Sequence, residues 1–140
     1  VGFGKACERI QKNIVIINDK IKKYRDHLES ELKNLGAVIF AEQTERLANT
    51  TFFAFNNIDG STLLTALDRK GYAIASGSAC SSNTNKASHV LLAMGIEPDL
   101  AQGALRISLG VETKQEEIKS FLEVLKKEIN RLKQLTAMAA

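Results

Sequence analysis

The sequence predicts an α/β fold of the two-layer α+β kind, a small, mostly antiparallel sheet covered by helices on one face and preceded by a long N-terminal helix. Three observations predict it. Ala6, Ile10, Ile14, Ile17, Ile21, Tyr24, Leu28, Leu32 and Leu35 recur at steps of three and four, the period of one amphipathic helix. Short β-branched, aromatic or alternating runs at 37–40, 51–55, 72–75 and 104–109 read as strands. A second helical face follows, on Ile118, Phe121, Leu122, Leu125, Ile129 and Leu132.

Each element has its punctuation. The first helix is about thirty residues long and closes on Gly36, where a C-terminal cap belongs. At 1.5 Å per residue it spans roughly 45 Å, too far to pack along its whole length against a small domain. Part of its stripe is therefore expected to meet another domain or chain. Residues 56–60 form a turn, and Asp59 or Ser61 caps a helix carried by Leu63, Leu64 and Leu67 and closed by Gly71. Residues 76–85 are small, polar and aperiodic, and read as a loop. Residues 88–94 make a short helix ended by Gly95. Pro98, the one proline, marks another turn. In the run 104–109, Leu105, Ile107 and Leu109 alternate with Arg106 and Ser108. Thr113-Lys114-Gln115-Glu116 fits a capping box for the last helix.

At 140 residues, 44% hydrophobic and 25% charged, the chain is long enough for one domain with its own core. The net charge of +3 is spread as lysines along helical patterns, with no basic run interleaved with aromatics, so no nucleic-acid partner is expected. The apolar run 14–17, like every other in the sequence, is too short to span a bilayer, and no signal peptide is visible. Two cysteines without a C-x-x-C, and two histidines, fit no zinc template and no metal is expected. Free thiols point to the cytoplasm. The chain begins at Val1, and its first residues read as the middle of a helix, so a piece of a longer protein is expected.

Cys80 is the sharpest chemical feature. Its neighbours Ser78, Ala79, Ser81 and Ser82 cannot bury it, and an exposed thiol reacts, whether by use or by accident. Cys7, beside Ala6 on the helical stripe, reads as a packing residue. Arg106, on a strand and facing away from Leu105 and Ile107, offers a rigid fork for a carboxylate. By pattern alone it reads first as a solvated or structurally paired arginine. His27 and His89 receive no role.

The segment 72–82, with Ser76-Gly77-Ser78-Ala79-Cys80-Ser81-Ser82 at its centre, resembles the active-site loop of cysteine desulfurases of the NifS/IscS type, pyridoxal-phosphate enzymes of the class V aminotransferase family. Further blocks fit in the same order: 1–6, Asn49-Thr50, 60–71, 88–95, 104–110 and 113–118. The long Ser-Gly-Ser-Ala-Cys loop looks like the first of the family's two subgroups. Ala48 and Ala87 stand where the family tends to have proline, which loosens two turns.

The resemblance implies that Cys80 is a nucleophile on a mobile loop. It takes sulfur from L-cysteine as a persulfide, releases alanine and passes the sulfur to acceptors such as an iron–sulfur scaffold. Ser76, Gly77, Ser78, Ala79, Ser81 and Ser82 are its loop, and Arg106 grips the substrate carboxylate. The family's cofactor lysine directly follows a histidine, yet neither His27 nor His89 precedes a lysine. The expectation is thus one domain over 1–140, matching the small C-terminal domain, with 1–35 as the connecting helix and the large cofactor-binding domain absent. The full-length family forms homodimers. The chain alone is expected to bind no pyridoxal phosphate and to be inactive. The alternative is a stand-alone persulfide carrier or interaction module.

Overall fold

The structure is a computed structural model that describes residues 1–77 and 87–139. Its elements run α1 (Gly2–Asn34), β1 (Ala37–Ile39), β2 (Thr50–Phe55), α2 (Gly60–Asp68), β3 (Ala75–Ser76), α3 (His89–Ala93), α4 (Pro98–Gln102), β4 (Leu105–Ser108) and α5 (Gln115–Ala139). The four strands form one sheet in the order β1-β2-β4-β3, with every pairing antiparallel.

The alternation of the strands splits the core into two clusters. Phe53 and Phe55 of β2, Ile39 of β1, and Leu105 and Ile107 of β4 turn toward one face. There they meet Leu28 and Leu32 of α1, Leu63 and Leu67 of α2, and Phe121, Leu125 and Ile129 of α5. This is the expected helical layer. Ala54 and Phe52 of β2 turn to the opposite face, where Phe40, Leu91, Ala101 and Ala104 make a smaller core. The short helices α3 and α4 therefore cover part of the second face as well. Among the described residues nothing covers the rest of it.

Glycines end three helices in the left-handed region that a side chain resists: Gly36, Gly71 and Gly95 have φ of 91°, 86° and 79°. Of the two candidate caps for α2, Asp59 takes the role. Its carboxylate accepts from the Thr62 N–H at 2.7 Å and from the hydroxyls of Ser61 and Thr62.

Four sequence expectations shift. Residues 72–74 are not strand, and β3 is confined to Ala75–Ser76, because Tyr72 turns to meet Phe121 edge-to-face and its hydroxyl meets Ser120 Oγ at 2.7 Å. Pro98 opens a helix instead of a turn. It sits in the first turn of α4, where a missing N–H costs nothing. Only one half of the capping box is made, one residue further on. The Lys114 N–H donates to Glu117 Oε2 at 2.7 Å, while Thr113 Oγ1 accepts from the Gly110 N–H. Cys7 is exposed, because α1 contributes to the core only from Ile17 onward, so the early stripe residues Ile10 and Ile14 are also exposed. No described helix is long and apolar enough to cross a membrane.

Candidate functional site

Arg106 lies in the middle of β4, with Phe52 of β2 and Ala75 of β3 as its cross-strand partners. Leu105 and Ile107 on either side are buried in the main core, so the alternation sends Arg106 to the open face. Its side chain is exposed, and among the described residues no carboxylate or carbonyl pairs with it. A guanidinium on a strand, with its donors unpaired among the described residues, is suited to capture a carboxylate from outside.

The same face anchors both ends of the segment 78–86. On the leading side, Ser76 belongs to β3 rather than to a loop, and it pairs with Leu105. Gly77 continues the ladder, its N–H donating to the Ala104 carbonyl at 2.9 Å. A Cβ on Gly77 would meet the Phe52 ring and Ala104, so only glycine lets the chain lie this close to the sheet. On the returning side, Ala87 packs against the smaller core, as Phe52 does, and Ser88 is buried. Ser78, Ala79, Cys80, Ser81 and Ser82 lie outside the described residues.

Phe52 links these parts. It is the cross-strand partner of Arg106, touches the space above Gly77, and meets Phe40 edge-on with ring centroids 5.2 Å apart. Sequence reading placed Phe52 on a strand and gave it no role. No local signal marks it, because its importance comes from register with a strand some fifty residues away.

A polar tie holds β2 in place from the other side. Arg46 grips Glu29 of α1 through two bonds of 2.7 and 3.0 Å, and Arg25 donates to the Leu47 carbonyl at 2.8 Å. The connection into β2 is thereby fastened to α1. Burial pushes the Glu29 carboxyl up, but Arg46, Thr51 and the nearby charge of Arg25 together more than offset this and hold it below the usual carboxylate range. A signal did exist here: Arg25 and Glu29 lie one turn from Ile21 and Leu32 of the apolar stripe, so charges there need partners.

A family model described as aminotransferase class-V matches residues 1–121. The chain belongs to that family. The cysteine desulfurase IscS of Clostridium botulinum is 36% identical over 142 residues, covering 99% of this chain and 36% of that protein. The cysteine desulfurase IscS of Methanosarcina thermophila is 36% identical over 139 residues, covering 99% of this chain and 34% of that protein. Among solved structures, a NifS-like protein superposes with a TM-score of 0.78 at 33% identity over 90% of this chain and 31% of its own. A NifS-like protein from Rickettsia africae gives 0.79 at 30% identity, covering 93% and 33%. The chain thus spans about a third of the length of the curated relatives it matches.

The family implies pyridoxal phosphate. The residues of this chain do not fit its covalent anchor: every described lysine is solvent-exposed, and no lysine in the sequence follows a histidine. The second face of the sheet carries the Arg106 guanidinium, unpaired among the described residues, and Gly77, at which the segment 78–86 begins.

Proposed function

We propose that this chain is the part of a cysteine desulfurase that carries the sulfur-accepting thiol and the substrate-carboxylate grip. The single observation that supports it most is the shared face: of the residues that bracket the segment containing Cys80, Gly77 lies against Phe52, the cross-strand partner of Arg106, and Ala87 packs against the same small core as Phe52. An α-carboxylate held by Arg106 leaves the side-chain sulfur of L-cysteine to be reached by a nucleophile from that segment.

In this reading Cys80 attacks as thiolate. An S–S bond forms as the substrate C–S bond breaks, and the electron pair of that bond goes to the substrate carbon, which takes up a proton. L-cysteine and the Cys80 thiol become L-alanine and a Cys80 persulfide, so atoms and electrons balance without an outside oxidant or reductant. The persulfide then serves a sulfur acceptor, of which an iron–sulfur assembly scaffold is one kind. Pyridoxal phosphate, the electron sink of the family, is held by residues outside this chain. The 140 residues alone bind none and release no alanine.

The test is a hybrid in which this chain replaces the matching segment of the Clostridium botulinum relative. The hybrid is expected to release alanine from cysteine. Cys80→Ser is expected to abolish release, and Arg106→Ala to raise KM at least about tenfold, as loss of a charge-assisted pair does. A hybrid that folds and binds cofactor yet stays active with Cys80→Ser ends the proposal. Alanine release by the isolated chain ends the claim that it lacks the cofactor site. If the isolated chain gains one sulfur on Cys80 from a competent desulfurase, as seen by intact mass, the carrier reading replaces this one.

A further inference from the structure

On the opposite side of the molecule, α2 and α5 enclose a trough of about 670 Å³. Both helices pack into the main core through Leu63, Leu67, Leu125 and Ile129, so the trough lies on the far side of the sheet from Arg106. Short side chains of α2, Thr62, Thr65 and Ala66, face it and leave it open. Its charge is one-sided. Arg69 and Lys70 line one end, just past the last turn of α2, and Arg131 reaches in from α5. Glu128 is the one acid in the lining, and it is already engaged.

That engagement shapes the site. Glu128 has only 12% of its side chain exposed and accepts from the Arg131 Nε at 2.8 Å. The bond fixes the guanidinium and leaves its two terminal nitrogens without a partner among the described residues. Arg69 and Lys70 likewise make no ion pair among the described residues. A pre-positioned fork next to two further cations is suited to oxyanions.

We propose that this trough docks an acidic segment of a partner protein, with carboxylates on Arg131, Arg69 and Lys70 and the backbone lying over the short side chains of α2. The volume exceeds what a single small anion fills. The lining has no aromatic ring on which a base could stack, which disfavours a nucleic acid. Charge complementarity then leaves a carboxylate-rich chain as the occupant. The inference does not depend on the sulfur chemistry above, and a partner held here leaves the Arg106 face uncovered.

Fluorescence anisotropy of a labelled peptide alternating Glu and Ala, titrated with the full chain, tests this. Saturable binding is expected. It should weaken at least about tenfold when Arg69→Glu and Lys70→Glu are combined, and several-fold in Arg131→Lys, which keeps the charge but loses the fork. Lys22→Glu with Lys23→Glu, both exposed on α1, serves as the distant control and should change binding little. Equal loss in the control, equally tight binding of a single-stranded oligonucleotide of the same charge, or displacement by inorganic phosphate at the concentration of the peptide would each overturn the proposal. An unchanged affinity in Arg131→Lys counts against it as well.

Discussion

A Cβ placed on Gly77 lies 2.9 Å from Cζ of Phe52, closer than side-chain carbons approach one another. The same Cβ is 3.2 Å from Cβ of Ala104, whose carbonyl accepts the Gly77 N–H. The last described residue before Cys80 is therefore held against the sheet by an aromatic edge and a ladder hydrogen bond together.

Gly77→Ala forces either the ring or the strand to move. We expect a loss of about 1–3 kcal/mol, the usual cost of overpacking, read from the urea midpoint. Shortening the ring in Phe52→Leu should restore part of that loss in the double variant, because the two residues share one contact. Additive losses would show that the contact does not constrain Gly77.

Arg106→Ala should separate stability from binding. The side chain is exposed and unpaired among the described residues, so its removal is expected to change the unfolding free energy by less than about 0.5 kcal/mol. The same change should raise KM for cysteine in the hybrid enzyme. A large fall in the thermal midpoint would reveal a structural role instead.

The Glu29 carboxyl titrates below its ordinary value of 4.5 when folded. The unfolded chain then binds more protons than the folded one between the two pKa values, so stability rises with pH through that window. The contribution is complete above the unfolded pKa and is lost as pH falls through the lower, folded one. Glu29→Gln should cost about 3 kcal/mol near neutrality, because it strands the Arg46 guanidinium, which is 16% exposed. The variant should also show a shallower loss of stability on acidification, measured by urea unfolding across pH 3–6. An unchanged acid slope would place the titration elsewhere.

Asp59 accepts three bonds at the start of α2, from the Thr62 N–H and the hydroxyls of Ser61 and Thr62. Asp59→Ala should cost about 1 kcal/mol, and Asp59→Asn less, since an amide oxygen still caps. The two hydroxyls first, and then the Thr62 N–H, hold its carboxyl below the usual range. Its contribution is accordingly present above the unfolded aspartate pKa and lost below the folded one. Thermal midpoints at neutral and acid pH check both statements.

The local code was legible wherever a short-range pattern fixes the backbone. The stripe of α1, the glycines that close α1, α2 and α3, and the alternation that turns Arg106 away from Leu105 and Ile107 could all be read before any contact was known. Elsewhere a nearby partner displaced the pattern by a residue or a few. Tyr72 left the strand for Phe121 and Ser120, Glu117 replaced Glu116 in the capping box, and Pro98 began a helix.

By itself the sequence determined the fold class, the helix ends closed by glycine and the identity of the reactive residue types, because each depends on periodicity, backbone conformation or side-chain chemistry within a few positions. Only the tertiary structure decided that Gly77 lies under Phe52, that Phe52 stands beside Arg106, and that Arg46 reaches Glu29. Those pairings are set by strand register and by packing between residues 17 to 54 positions apart, which no local pattern encodes.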